Sequence, residues 1–300
     1  MPANKPADFP KMPDVKNPSQ TTVFKTDTMK RRMRRWWWSA VMVCVFVLAG
    51  GSLILNYGWQ NQEALQRILQ TLFITAYVLG LLRMGLPLNY HPRKTIFYTD
   101  LGLATWLTMI RAMLVALLAG YLFQPWPQSR IFPGQPSWAP GIIYIAASIL
   151  DYLDGLVARM GHHESRLGAY LDINIDALGL LVAPLLAVCY GQLPIAYLSV
   201  SASYYLFLIG IRLRKIYSKP VFELTPYPVA RVIAGFQMGL VGTALLPVFS
   251  PQTTILAAYV FMIPLLMGFL RDWCFVCGYI RPDHGPIESR KYSLKSFFSQ

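Results

Sequence analysis

Residues 177–211 carry no Lys, Arg, Asp or Glu, and residues 232–270 form a second uncharged stretch. Runs of this kind fix the solvent before they fix the fold. Roughly 20 apolar residues cross a bilayer as a helix, because in lipid each backbone N–H and C=O must find its partner inside the segment. Both stretches are too long for one crossing and both contain a break. The first breaks at Tyr190, Gly191, Gln192, Leu193 and Pro194, the second between Pro247 and Pro251. Two spans are expected from each. Composition agrees: 55% of the 300 residues are hydrophobic and 14% charged, against about 25% charged in a soluble domain.

Four further spans are expected upstream. Arg31, Arg32, Arg34 and Arg35 abut Trp36, Trp37 and Trp38, a basic anchor beside an aromatic belt, and an apolar run continues to Gly58. The second span covers residues 67–86, with Arg67 and Arg83 snorkelling outward. Residues 90–105 mix charge with apolar side chains and suit a helix lying in the interface. The third and fourth spans cover residues 106–123 and 138–159, parted by a proline-rich loop. The expected architecture is all-α and integral to the membrane. Residues 1–35 are a disordered basic tail, 36–88 a two-helix extension, 89–278 the interfacial helix plus a six-helix core, and 279–300 a second tail.

Orientation follows from charge, since cytoplasmic loops collect Lys and Arg. With a cytoplasmic N-terminus, eight alternating spans leave only Arg67 and Arg130 near the outer side. The inner side receives the Arg31 to Arg35 cluster, Arg93, Lys94, Arg159, Arg166, Arg212, Arg214, Lys215, Lys219, Arg231 and Arg271. The net charge of +13 is therefore read as topology and attraction to anionic headgroups, and no nucleic-acid partner is expected. A multi-pass protein of the cell (inner) membrane is expected, with its site on the cytoplasmic side. Cys274 and Cys277 have a redox-like spacing, but the second ligand pair that a zinc site needs is missing.

The same topology gathers Asp151, Asp154, Asp172 and Asp176 at the cytoplasmic ends of two consecutive spans. An Asp at the centre of a membrane helix costs roughly 2.5 to 3.5 kcal/mol on insertion scales, so four of them need compensation. Spacings of three and four put each pair on one helix face. Carboxylates without His or Cys favour Mg²⁺ or Mn²⁺ over zinc. Capping suits Asp172 and Asp176 at a helix start, but the dipole repels Asp151 and Asp154 near a helix end. Gly155, Ala158 and Gly168 lie on the same stripes and let a flat base and a diphosphate approach the backbone. Arg159 offers a fork of donors to phosphate. His162, His163 and Glu164, between the two helices, read as a solvated loop.

Together these positions read Asp151-x2-Asp154-Gly155-x2-Ala158-Arg159-x8-Gly168-x3-Asp172-x3-Asp176, which resembles the signature of the CDP-alcohol phosphotransferase family at every fixed residue. At about 5 to 7% usage per residue type, such a match arises by chance on the order of once in 10¹⁰ windows. Leu107, Thr108 and Arg111 look like that family's Leu-Thr-x-x-Arg element, although the Pro-Asn often preceding it is absent here. The resemblance covers about residues 90–275. It implies a six-helix core, usually a homodimer, that passes a phosphoryl-alcohol group from a CDP-linked donor to a hydroxyl acceptor as CMP leaves. By that likeness Asp151, Asp154 and Asp172 ligate two metals, Asp176 is the base beside them, and Thr108 and Arg111 belong to the nucleotide pocket. Two metals would neutralise the diphosphate.

The donor expected is CDP-diacylglycerol; the alternative is a soluble CDP-alcohol passing its head group to diacylglycerol. Ser165, Arg166, Leu167 and Gly168, followed by Leu171, Asp172 and then Val182, Ala183 and Pro184, look more like phosphatidylserine-synthase-type members than like aminoalcohol phosphotransferases. The Asp-Pro and Asp-Lys pairs of glycerophosphate-using members are replaced by Asp172-Ile173 and Asp176-Ala177. Serine, glycerol phosphate and inositol phosphate all stay open as acceptors. Arg212 and Arg231, nearest their helix ends, are the candidate ligands for an acceptor phosphate. A cation channel or transporter fits less well, because the acids sit at one end of the spans and no paired broken helices recur in two matching halves.

Overall fold

The computed structural model describes residues 18–56, 61–91, 98, 100–129, 134–161, 165–222 and 228–280, with backbone alone for 18–30, 52–56, 61–63, 159 and 228–231. The described residues form eight α-helices and no strand: α1 Pro18–Asn56, α2 Asn61–Gly85, α3 Leu103–Ala119, α4 Ala139–Met160, α5 Arg166–Cys189, α6 Leu198–Ile216, α7 Pro228–Ala244 and α8 Pro251–Cys277. Five of the helical segments are long and apolar enough to cross a membrane: those of α2, α4, α5, α6 and α8. Their outer faces carry large exposed apolar side chains, among them Phe73, Ile142, Leu206 and Leu256, as lipid-facing surfaces must. At 17 residues each, α3 and α7 reach about 25 Å at 1.5 Å per residue, short of a hydrocarbon core of about 30 Å.

One of these two short helices, α3, holds the middle of the fold. α3 packs against α4 and α5 on one side and against α2 and α1 on the other. It presents small residues at helical spacing, Ala112, Ala116 and Ala119, all buried. In lipid there is no hydrophobic force between helices, so close approach of backbones and dispersion must supply the association. Gly120, just past α3, shows how close that approach is: a Cβ there would stand 2.5 Å from Thr71 Oγ1 of α2. Met109, Met113 and Leu118 of α3 and Leu167, Leu171 and Ile175 of α5 are the fully buried bulk of the core.

Backbone accounting explains where the helices bend and stop. Pro184 within α5 cannot donate to Leu180 O, and Ser201 Oγ of α6 supplies that bond at 2.7 Å. This is how membrane helices tolerate proline. Ser165 caps α5, its Oγ accepting from Gly168 N at 2.9 Å. Thr254 of α8 donates through Oγ1 to Gln192 O at 2.7 Å, pinning the α5–α6 break to the start of α8. α8 ends at Gly278 with φ of 80°, and Tyr279 N reaches back to Cys274 O at 3.0 Å, a left-handed stop that glycine makes without strain. Arg214 of α6 donates to Pro220 O at 2.8 Å and to Cys277 Sγ at 3.3 Å, tying the ends of α6 and α8 together.

Three expectations are corrected. The interfacial helix over 90–105 is not seen in the described residues before Leu103, and residues 103–105 belong to α3. Tyr90, His91, Tyr98 and residues 100–102 are non-helical, while 92–97 and 99 lie outside the described residues. Pro92 biases His91 away from helix, and Tyr98 and Asp100 lie against Asn89, which accepts from Tyr98 N at 3.0 Å and donates to Asp100 O at 3.2 Å. Arg67 does not snorkel: it is buried, its guanidinium 5.2 Å from the Tyr121 ring centre. α1 reaches back to Pro18, into the stretch expected to lack order, since adding a turn to a helix already nucleated is easy. Residues 1–17 and 281–300, both assigned to tails, lie outside the described residues.

Candidate active site

One arginine organises the acidic cluster. Arg111 of α3 is only 4% exposed and contacts all four aspartates. Its Nη1 meets Asp151 Oδ1 and lies 2.9 Å from Asp176 Oδ1. Its Nη2 donates to Asp172 Oδ1 at 2.8 Å, and Nε stands 3.9 Å from Asp154 Oδ2. The helices make this possible: Asp151 and Asp154 share a face of α4, Asp172 and Asp176 share a face of α5, and α3 packs against both. Thr108, one turn before Arg111, has its Oγ1 3.0 Å from Asp154 Oδ2 and 2.9 Å from Ala104 O. Its single hydrogen serves the carboxylate, the stronger acceptor.

The four carboxylates are not equivalent. The side chain of Asp154 is 7% exposed, against 46% for Asp172 and 44% for Asp176; Asp151 is intermediate. One guanidinium against four carboxylates leaves three negative charges uncompensated in a site walled by apolar helices. Oxygens of Asp151, Asp172 and Asp176 lie within 4.8 Å of one another. Hard oxygen donors at this density, and this charge excess, fit divalent cations of the Mg²⁺ or Mn²⁺ type.

A cavity of about 320 Å³ opens beside the cluster. Arg111, Asp151 and Asp176 of the cluster line it, together with Asp272 of α8. Elsewhere its wall is mostly apolar, from Val115 of α3, Leu180 of α5, Val241 of α7 and Leu265 of α8. The site therefore joins a polar, cation-suited head to an apolar pocket between membrane helices.

Of the residues expected from sequence, Thr108, Arg111, Asp151, Asp154, Asp172 and Asp176 come together. Arg111, expected as a nucleotide ligand, is held here by the aspartates. Gly155 and Ala158 sit half-buried on α4, and Gly168 closes the Ser165 cap of α5. Arg212 is exposed on the last turns of α6 and is not among the cavity-lining residues. The side chains of Arg159 and Arg231 and the loop of His162, His163 and Glu164 lie outside the described residues. Sequence reasoning missed Tyr204, Gln237 and Asp272, which line the cavity. Two of them carried a signal, a polar group within or at the end of an apolar helix.

Among known proteins, the chain matches several bacterial enzymes over short stretches. It is 32% identical over 87 residues to a protein of Yersinia pestis (strain Pestoides F) named "CDP-diacylglycerol--glycerol-3-phosphate 3-phosphatidyltransferase", covering 28% of this chain and 42% of the relative. A protein of the same name from Sodalis glossinidius (strain morsitans) is 29% identical over 80 residues, 26% of this chain and 38% of the relative. The matches thus span less than half the length of these relatives. No solved structure matches. The family model for CDP-alcohol phosphatidyltransferase matches residues 101–270, from the residues just before α3 into α8 and across all four aspartates. The chain belongs to the CDP-alcohol phosphatidyltransferase family.

Proposed function

We propose that this protein transfers a phosphatidyl group from CDP-diacylglycerol to a hydroxyl acceptor, with glycerol 3-phosphate the first acceptor to test. One observation carries the reading: a cluster suited to cations and a diphosphate opens directly into an apolar cavity between membrane helices. A nucleotide-linked lipid needs both parts, and an ion pathway has no use for the second. The relatives' name supports the donor and the acceptor.

In this reading Asp151, Asp154 and Asp172 hold the divalent cations, two Mg²⁺ or Mn²⁺, with Thr108 fixing the Asp154 carboxylate as an orienting partner does for a ligand. The cations, when bound, neutralise the diphosphate and the leaving CMP. Arg111 is released from part of its carboxylate contacts as that charge is balanced, and its fork of donors turns to a phosphate oxygen. Gly155, Ala158 and Gly168 leave room for the nucleotide, and Arg159 adds a donor to it. Asp176 lines the cavity and is half open, so it is placed to take the acceptor's proton. The acceptor oxygen bonds to the phosphatidyl phosphorus, the bond from that phosphorus to the CMP oxygen breaks, and the proton goes to Asp176. Arg212 and Arg231 are the candidates for an acceptor phosphate. The arrangement proposed in the membrane is eight spans, α1 and α2 as an extension to a six-helix core, in a homodimer whose site faces the cytoplasm.

A second acceptor reading rests on Asp272. Its carboxylate lines the cavity, where it repels a phosphate and attracts an ammonium, as serine would supply. An acceptor screen decides. Purified protein with CDP-diacylglycerol and Mg²⁺ or Mn²⁺ should release CMP when glycerol 3-phosphate is added. Release with serine alone selects the second reading. Release only from CDP-choline with diacylglycerol would replace the donor assignment by the soluble CDP-alcohol alternative.

A further inference from the structure

Gln237 stands alone among the polar groups of α7's inner face. It is 8% exposed, and its Nε2 has no hydrogen-bond partner among the described residues. It lines the cavity together with Ile233, Ala234, Met238 and Val241 of the same helix. By helix rise it lies about 9 Å deeper along α7 than Arg231. An amide donor left unpaired in such surroundings destabilises the fold, and an apolar residue of similar size would avoid that cost. The terminal torsion of glutamine is soft, so the amide can turn its N–H into the cavity once an acceptor arrives.

Few acceptors belong at that place. Among the described residues that line the cavity Arg111 is the one basic group, already held by the aspartates, against the carboxylates of Asp151, Asp176 and Asp272, so an anionic partner at Gln237 finds no free counter-charge. A neutral carbonyl oxygen carried on an otherwise apolar ligand needs none. We infer that Gln237 is a specificity-determining residue that donates to an acyl ester carbonyl of the lipid-linked donor, so that the cavity selects ester-linked over ether-linked chains. The inference rests on the proposed lipid donor and deepens it. An ether oxygen is a weaker acceptor without the projecting C=O, so an ether-linked donor seated there leaves the amide unpaired.

The test compares ester-linked and ether-linked CDP-lipids of equal chain length as donors, by kcat/KM for CMP release, in the full-length protein and in Gln237→Leu. One neutral hydrogen bond corresponds to about 3- to 10-fold. The unsubstituted protein should prefer the ester donor by that factor, and Gln237→Leu should bring the ratio to about one by raising KM for the ester donor. Gln237→Leu should also raise Tm in detergent, because it removes an unpaired buried amide; this checks that the variant is folded. A preference that survives the substitution, or no preference at the outset, overturns the inference while leaving the lipid donor in place. No CMP release from either CDP-lipid in the unsubstituted protein overturns the donor assignment and the inference with it.

Discussion

Asp154 and Asp176 are the same residue type bound to the same arginine, yet they stand in opposite surroundings. Asp154 is closed in, with a hydroxyl from Thr108 on one oxygen and Arg111 close by. Asp176 is half open and faces the cavity. The difference teaches that the protein fixes its inner carboxylate with its own donors and leaves the outer ones to be completed by something from outside. In the proposed function the inner carboxylate serves geometry first, and the outer one serves chemistry.

The comparison can be broken at several points. Asp151→Asn or Asp172→Asn removes a charge from the cluster proposed to hold the cations, and metal-dependent CMP release should fall to background, with Mn²⁺ affinity lost in parallel. Mn²⁺ binding by electron spin resonance checks this. Arg111→Met leaves four carboxylates around no cation of the protein's own. Breaking a buried ion pair costs about 3 to 5 kcal/mol, so thermal unfolding in detergent should drop sharply, and added Mg²⁺ should restore part of the loss. A drop that Mg²⁺ leaves untouched would mean that the arginine, not a cation, is the permanent partner. Thr108→Val is the gentlest probe. It removes one hydrogen bond to a charged group, about 1.5 to 3 kcal/mol, and should loosen metal affinity by about 10- to 100-fold while the fold survives. No change in metal affinity would detach Asp154 from the cation site.

The helices were legible in the sequence because lipid imposes a length and an apolar rule that water does not. Pro194 and Gly191 marked one break and Pro247 and Pro251 the other, and both fall between helices in the structure. The aspartates were legible because spacings of three and four fix a shared face before any packing is known. The placement of Arg111 at their centre was not. It depends on α3 lying against both α4 and α5, a tertiary fact that the periodicity of α3 does not carry. Arg67 misled for the same reason, since only the packing of Tyr121 over it turns a snorkelling arginine into a buried one. Residues 90–105 misled because mixed polarity suits non-helical chain, as at Tyr90, His91, Tyr98 and residues 100–102, as well as an interfacial helix, and His91-Pro92 was the cue to weigh. Gln237 was visible as a polar residue in an apolar run, but its unpaired nitrogen appears only when its neighbours are in place.

The central claim is the division of labour within the cluster: Asp151, Asp154 and Asp172 hold the cations, and Asp176 moves the proton. It is tested by measuring Mn²⁺ affinity, CDP-diacylglycerol affinity and single-turnover rate for the four Asp→Asn variants side by side. Asn keeps the size and hydrogen bonding of Asp and removes its basicity. Asp176→Asn should lose roughly 10² to 10⁴ in rate while its metal and donor affinities change far less than those of the other three. If Asp176→Asn loses metal as badly as they do, Asp176 is a ligand first, and the proton must go to another group.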